Sequence, residues 1–474
     1  MIFIMKKIIL FFLFCSAYAA TAQQLTFGKG VVMDSVKVLD TISESFALYL
    51  PTKFEVTKPS PVVFIYDTEG RGANVVRMLM MAAEKNQFVL AASNNVRGDQ
   101  PLSKNVLISK RMFQTVFDMF NIQKGRVYTA GFAEGARLAS VMPTFFSQIK
   151  GVISCGAGIA NSEVLSSNNP FHFIGIVGLK DYNYPDMLQK ENVFNSLKFK
   201  NQTLVFDGGH EWPNQELLSE AMELFNIGAM VDRVIPLDTA FIEETYRGNL
   251  GRVNKLISEN NPLFAYRKLE DIMKVYKPLI FVDSLKNSLK TLRRSSGYKA
   301  QKRNESSVFF KEALIKQDYD YALEEDIYTY NYNNLGWWKY QMEELRKYEK
   351  NPNIFMQHMG VRLRSYLEAL IADHMDMIRS DSPVDEEALN FLWMLKTITA
   401  PEVYDNYLKV ISINSKFEDF GTALFYLEEL LKIGYDDVDR LYALEHTALL
   451  RITPEFNQLI DEYLKKARYD IIEE

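Results

Sequence analysis

Short apolar runs closed by turn residues punctuate the first half of the chain. Val62-Val-Phe-Ile-Tyr66, Phe88-Val-Leu-Ala-Ala-Ser93 and Val127-Tyr-Thr-Ala130 are continuously apolar, the pattern of strands covered on both faces. Ser45-Phe-Ala-Leu-Tyr-Leu-Pro51 alternates instead and ends in proline, which predicts an early antiparallel strand. Amphipathic stretches over Val75–Glu84 and Asn105–Phe120 separate these runs, and Gly151–Ser154, Phe171–Val177 and Thr203–Phe206 continue the strand series. Strands alternating with helices at this spacing predict an α/β domain with a mostly parallel sheet. Ligands of such sheets sit at the carboxyl ends of the strands.

Beyond a helical stretch around Gln215–Met230 the strand signals mostly stop. Val234-Ile-Pro-Leu-Asp238 reads as a linker, and long aromatic-rich helical segments follow, among them Val308–Tyr330, Leu335–Tyr348 and Val438–Leu450. Pro262, Pro352, Pro383, Gly434 and Pro454 separate several of them, and antiparallel helix pairs of this length imply a bundle or α-solenoid. The predicted organisation is a targeting segment at 1–22, an α/β domain at 23–232 and an all-α domain at 239–474.

The targeting segment rests on Lys6-Lys7, the apolar run Ile8–Phe14 and the small residues Ala17, Ala19, Ala20 and Ala22. That is the order of a signal peptide, with cleavage expected between Ala22 and Gln23. The apolar run is too short to span a bilayer, so the mature chain is expected to be exported to the periplasm or beyond without a transmembrane segment. Cleavage would leave Cys155 as the sole cysteine, in the apolar context Gly151-Val-Ile-Ser-Cys-Gly156, where a buried small hydrophobe is expected. A formal charge of −6 gives no support to nucleic-acid binding.

The candidate chemistry centres on Gly131-Phe-Ala-Glu-Gly-Ala-Arg137. It has the outline of the G-x-S-x-G turn that lifts a nucleophile from strand to helix, with Ala133 where the nucleophile would stand. Two further stretches follow in chain order: Gly178-Leu-Lys-Asp-Tyr-Asn-Tyr184 and Gly208-Gly-His-Glu-Trp-Pro213. Together the three resemble the α/β-hydrolase superfamily, in the secreted branch that includes feruloyl esterases and polyhydroxyalkanoate depolymerases. The resemblance implies an α/β-hydrolase fold over residues 40–230, with Asp181 as the acid and His210 as the base. It also implies an oxyanion hole made of the Glu134 backbone N–H and one from the loop Asp67–Gly72. A methyl group cannot attack a carbonyl, so Ala133 implies a pseudoenzyme; a water activated by His210 and Asp181 is the slower alternative.

Each residue also has a plainer reading. His210 could cap and pack the cleft beside Asp181, and Asp207 competes with Asp181 for the acid role. The Glu134 carboxylate either opposes developing negative charge or points into solvent, and Asp67 and Glu69 add acids at the mouth. Ser140 and Ser154 are poor replacements for the nucleophile, one further along the elbow helix and the other within a strand.

In the helical half, the segment from Thr422 to Phe456 resembles the terminal unit that follows tetratricopeptide repeats, which implies a protein partner. Ala443–Leu450 is read there as a second short helix. Lys286, Lys290, Arg293, Arg294, Lys299, Lys302 and Arg303 form a basic run, read as a solvated face. Trp337-Trp338 is read as core packing against the α/β half rather than a sugar platform. His358, His374 and His446 lie on separate segments without metal-ligand spacing, so no metal and no cofactor is predicted. The expected ligand is a small ester or a carbohydrate-linked group.

Overall fold

The computed structural model describes residues 27–39 and 42–469; the predicted signal segment lies outside them. Eight strands form one sheet: β1 Val32–Leu39, β2 Ile42–Tyr49, β3 Ser60–Tyr66, β4 Val89–Ser93, β5 Ile122–Phe132, β6 Ile149–Cys155, β7 His172–Gly178 and β8 Asn201–Phe206. Their order across the sheet is β1-β2-β4-β3-β5-β6-β7-β8. β2 pairs antiparallel with β1 and β4, whereas β4, β3, β5, β6 and β7 pair in parallel. β1 escaped sequence reading because Asp34, Ser35 and Lys37 break its apolar pattern, as an edge strand tolerates.

Helices α1 Gly72–Asn86, α2 Leu102–Met119, α3 Glu134–Phe145, α4 Tyr184–Ser196 and α5 Gln215–Val231 alternate with or follow the strands. α1 buries Val75, Val76, Leu79, Ala82 and Ala83 on one face and ends at Gln87 in the left-handed region. α5 begins at Asn214, whose side chain accepts the Leu217 N–H at 3.1 Å, a normal N-cap. Phe46, Val62, Phe64, Phe113 and Val116 belong to one apolar core of this region. The Phe64 and Phe113 rings lie 4.1 Å apart.

The remainder is helical: α6 Thr239–Ser258, α7 Pro262–Tyr276, α8 Asp283–Arg294, α9 Ser296–Thr329, α10 Leu335–Glu349, α11 Ile354–Ser380, α12 Glu386–Thr399, α13 Tyr404–Lys416, α14 Phe420–Lys432, α15 Val438–Ala443 and α16 Pro454–Leu464. α9 starts twelve residues before the expected Val308. Its buried face runs Glu305, Val308, Glu312, Tyr319, Leu323, Asp326, a helical spacing in which three positions are acids, so hydrophobicity alone under-reports it. The expected helix over Ala443–Leu450 is absent. The chain turns there, with His446 at φ 62°, before a short 3-10 turn at Leu450–Ile452. Trp338 is fully buried in the helical core with Leu345, Leu363 and Leu367, and donates Nε1–H to Asp326 at 2.8 Å. Its packing is thus internal to the helices, and Trp337 meets it at 80°, so the pair offers no flat platform.

The chain forms two compact units. One holds the described residues up to Ile176 with Gln189–Leu204 and Trp212–Thr245; the other holds Val177–Leu188, Val205–Glu211 and Tyr246 onward. The elbow belongs to the first, and Asp181 and His210 belong to the second. No described helix is long and apolar enough to cross a membrane.

Candidate functional site

In the first unit, β5 delivers the chain to Ala133, where the backbone takes φ 51°, ψ −118°. Non-glycine residues rarely adopt positive φ, and a residue held there stores strain that the surroundings must enforce. The enforcement is visible. The Ala133 N–H donates to the Cys155 carbonyl at 2.9 Å. A Cβ on Gly131 would lie 2.2 Å from the Gly135 carbonyl oxygen, and a Cβ on Gly135 would lie 2.3 Å from that of Tyr66. Only glycine fits either position, and the turn between them is locked. Phe132 packs on Trp212 with ring centroids 5.5 Å apart.

Glu134 is the first residue of α3, so its N–H belongs to the helical donors without an intrahelical acceptor. Its side chain is exposed. Of the two readings of that carboxylate, the geometry selects the one in which it reaches solvent, over Gly98. Nor are Asp67 and Glu69 unscreened acids at the mouth. Arg71 Nε lies 3.0 Å from Asp67 Oδ2 and Arg71 Nη1 2.7 Å from Glu69 Oε2, so one guanidinium faces both. Asp67 also accepts the Glu69 N–H at 2.9 Å, which folds the loop back on itself. Ser140 Oγ donates to the Ala136 carbonyl and Ser154 Oγ to the Ala157 carbonyl, at 2.7 and 2.6 Å. Both serines are fully buried, with their hydroxyls committed to backbone carbonyls. Cys155 is buried as well, and burial pushes its thiol up, which leaves it inert.

In the second unit, the loops after β7 and β8 are held against each other by backbone. A Cβ on Gly178 would lie 2.3 Å from the Gly208 oxygen, and the Lys180 N–H donates to that oxygen at 2.9 Å. Asp181 is fully buried. Its Oδ1 accepts the Asn183 N–H at 2.8 Å and its Oδ2 lies 3.0 Å from His210 Nδ1. The buried carboxylate thereby fixes the orientation of the imidazole through Nδ1. Tyr182 lies against the His210 ring at 4.7 Å. Asp207, the competing acid, is largely exposed and pairs with Lys180 at 2.8 Å.

The helical residues that hold the acid loop were not legible in sequence. Arg362 Nη1 donates to the Leu179 carbonyl at 2.7 Å, and Lys316 Nζ to the Tyr182 carbonyl at 2.8 Å. Arg362 is anchored in turn by Glu312, at 2.6 Å from Nη2. Glu305 anchors Arg267 at 2.6 Å, and that guanidinium donates to the Tyr184 hydroxyl at 3.1 Å. Buried acids at helical spacing on α9 were the available signal. His358 on α11 is half-buried, and burial with Arg362 and Lys180 nearby pushes it down to about 4.

No protein-family model and no curated protein matches the chain. Among solved structures it is similar to an S-formylglutathione hydrolase from Staphylococcus aureus at 11% identity, over 42% of this chain and 99% of that one, with TM-score 0.33. Thermogutta terrifontis esterase 2 gives 12%, 43%, 95% and 0.34 in the same order, and a ferulic acid esterase 12%, 43%, 98% and 0.34. The chain's own elements carry the fold class: a mostly parallel eight-stranded sheet, helices between its strands, and a strand–turn–helix elbow flanked by obligatory glycines. The fold is that of an α/β-hydrolase followed by an all-helical region.

Proposed function

We propose that the protein is an exported, non-catalytic α/β-hydrolase-fold protein that binds a small ester or carbohydrate-linked ligand and meets a protein partner through its tetratricopeptide-like helical half. The observation that carries this reading is Ala133. The backbone there retains a strained conformation, φ 51°, whose use in a hydrolase is to present a nucleophile, and the side chain ends at a methyl group. In this reading the Glu134 N–H remains a donor for a ligand carbonyl without a covalent step.

Assay of the parent and Ala133→Ser on short-chain aryl esters, with a fluorophosphonate probe, tests it. The parent is expected to show neither turnover nor adduct. A covalent adduct on the parent at any residue lining the elbow sinks the proposal.

A second reading is favoured by the buried Asp181 and its 3.0 Å contact with His210: a slow hydrolase in which His210 activates water. Known triads stripped of one member keep roughly 10³–10⁴-fold acceleration over water. Parent turnover abolished by His210→Ala would establish this reading over the first. Export is tested by the mass of the mature chain, expected to begin at Gln23.

A further inference from the structure

Arg126, the fifth of the eleven residues of β5, is only 7% exposed and has no carboxylate partner among the described residues. Its Nη2 donates to Asn226 Oδ1 and its Nη1 to Gln123 Oε1 at 3.3 Å. Its Nε is buried with no acceptor. Arg126 also interacts with the buried Tyr128 hydroxyl; a guanidinium offers five N–H donors, and none of these partners carries a negative charge. Phe88 covers one face at 5.2 Å, which offsets part of the charge's burial and none of its hydrogen bonding. A buried, unpaired charge is costly unless something pairs it.

Arg126 lines a cavity of about 590 Å³ with Asn86, Asn226, Met230, Leu237 and Phe241. All belong to the first unit. Arg126 lies seven residues before Ala133 along the chain of β5, roughly 20 Å at the rise of a strand, so this cavity is separate from the elbow. The Asn226 amide is held by Asn86 at 3.3 Å, and Asn86 by Ser219 Oγ at 3.2 Å. The polar floor is therefore tied in place, while Leu237 leaves an apolar wall 61% exposed.

We propose that this cavity binds a monocarboxylate with an apolar tail, its carboxylate on Arg126 and its tail along Met230, Leu237 and Phe241. The planar guanidinium fork matches a carboxylate. A dianionic phosphate would face this single guanidinium together with the Asp238 carboxylate that also lines the cavity, a like charge that disfavours a second negative charge.

The test is thermal shift and calorimetric titration of the full chain with sodium hexanoate, beside 1-hexanol and inorganic phosphate. Hexanoate is expected to raise the Tm saturably, as any ligand of the native state does, with no rise from hexanol or phosphate. Arg126→Gln is expected to weaken hexanoate roughly tenfold or more, in line with loss of a charge-assisted contact. Leu237→Asp, at an exposed position, should weaken it comparably without lowering the unliganded Tm, and decides the matter if Arg126→Gln fails to fold. His210→Ala should leave hexanoate binding unchanged. The proposal is overturned by no shift in the parent, by an equal shift from hexanol or phosphate, or by parent-like binding in Leu237→Asp.

Discussion

Arginines drawn into the two units meet opposite surroundings. In the helical unit, Arg362 is 2% exposed and meets Glu312 through Nε and Nη2, at 3.0 and 2.6 Å. Arg267 meets Glu305 at 2.8 and 2.6 Å. Burial pushes the Glu305 carboxyl up, and the Arg267 guanidinium outweighs it, so the net displacement is downward. In the sheet unit, Arg126 is nearly as buried and has amides in place of an acid, and Ala133 holds φ 51° with no reactive atom to show for it. Local costs that a fold leaves standing concentrate at functional positions. The contrast therefore teaches where to look: Arg362 is matched by a carboxylate of its own unit, whereas Arg126 and Ala133 are local costs that the sheet unit leaves standing.

Breaking the matched side should hurt most. Glu312→Ala leaves Arg362 buried and unpaired, which costs about 3–5 kcal/mol, while Glu312→Leu with Arg362→Met should recover most of it. Urea denaturation checks both; a loss under about 1 kcal/mol for Glu312→Ala would make Arg362 no different from a surface charge and end the contrast. The next effect is acid sensitivity in the sheet unit. His172 on β7 is bonded to Gln202, and burial pushes its imidazole down to about 4. Its folded pKa lies below the unfolded value, so the unfolded chain takes up the proton first as pH falls. Stability attributable to this group is whole above about pH 6.5 and is lost as pH drops toward 4, by about 3 kcal/mol in total. Denaturation at pH 7, 5 and 4 should show a shallower acid loss in His172→Gln than in the parent.

How much of this could be read from the sequence depended on whether burial and apolarity coincided. The buried runs of β3, β4 and β5 are mostly apolar, so they announced the sheet, and the paired glycines around Ala133 announced the elbow because no other residue fits. α9 did the reverse: Glu305, Glu312 and Asp326 occupy buried positions, and their partners Arg267, Arg362 and Trp338 lie far away in sequence or on another helix. No local pattern encodes such a pairing. Arg126 directly precedes the apolar run Val127–Ala130 and drew no reading, because one charge beside an apolar run is the usual mark of a strand end. Asp67 and Glu69 were read as loose acids since Arg71, a few residues on, counts as an ion-pair partner only once the turn is folded.

Two smaller effects separate costs that are left standing from contacts that stabilise. Arg126→Met removes an unpaired charge and keeps most of the volume, so stability in the absence of ligand should change by no more than about 1 kcal/mol in either direction. A loss of about 3 kcal/mol or more, the scale of a broken buried pair, would mean that Arg126 is as well satisfied as Arg362, and the two units would no longer differ in this respect.

The smallest effect concerns Ala133. A non-glycine residue in a sparsely populated backbone region costs roughly 1–3 kcal/mol, and glycine relieves that while losing about 0.5–1 kcal/mol to unfolded-state entropy. Ala133→Gly should therefore leave the protein unchanged or stabilise it by about 1 kcal/mol, whereas the same exchange at an unstrained helical alanine such as Ala139 of α3, fully buried, should destabilise. Measured side by side by urea denaturation, the two substitutions report strain directly. If Ala133→Gly costs as much as Ala139→Gly, the turn is not strained by its side chain, and the elbow is then an ordinary bend that happens to keep its glycines.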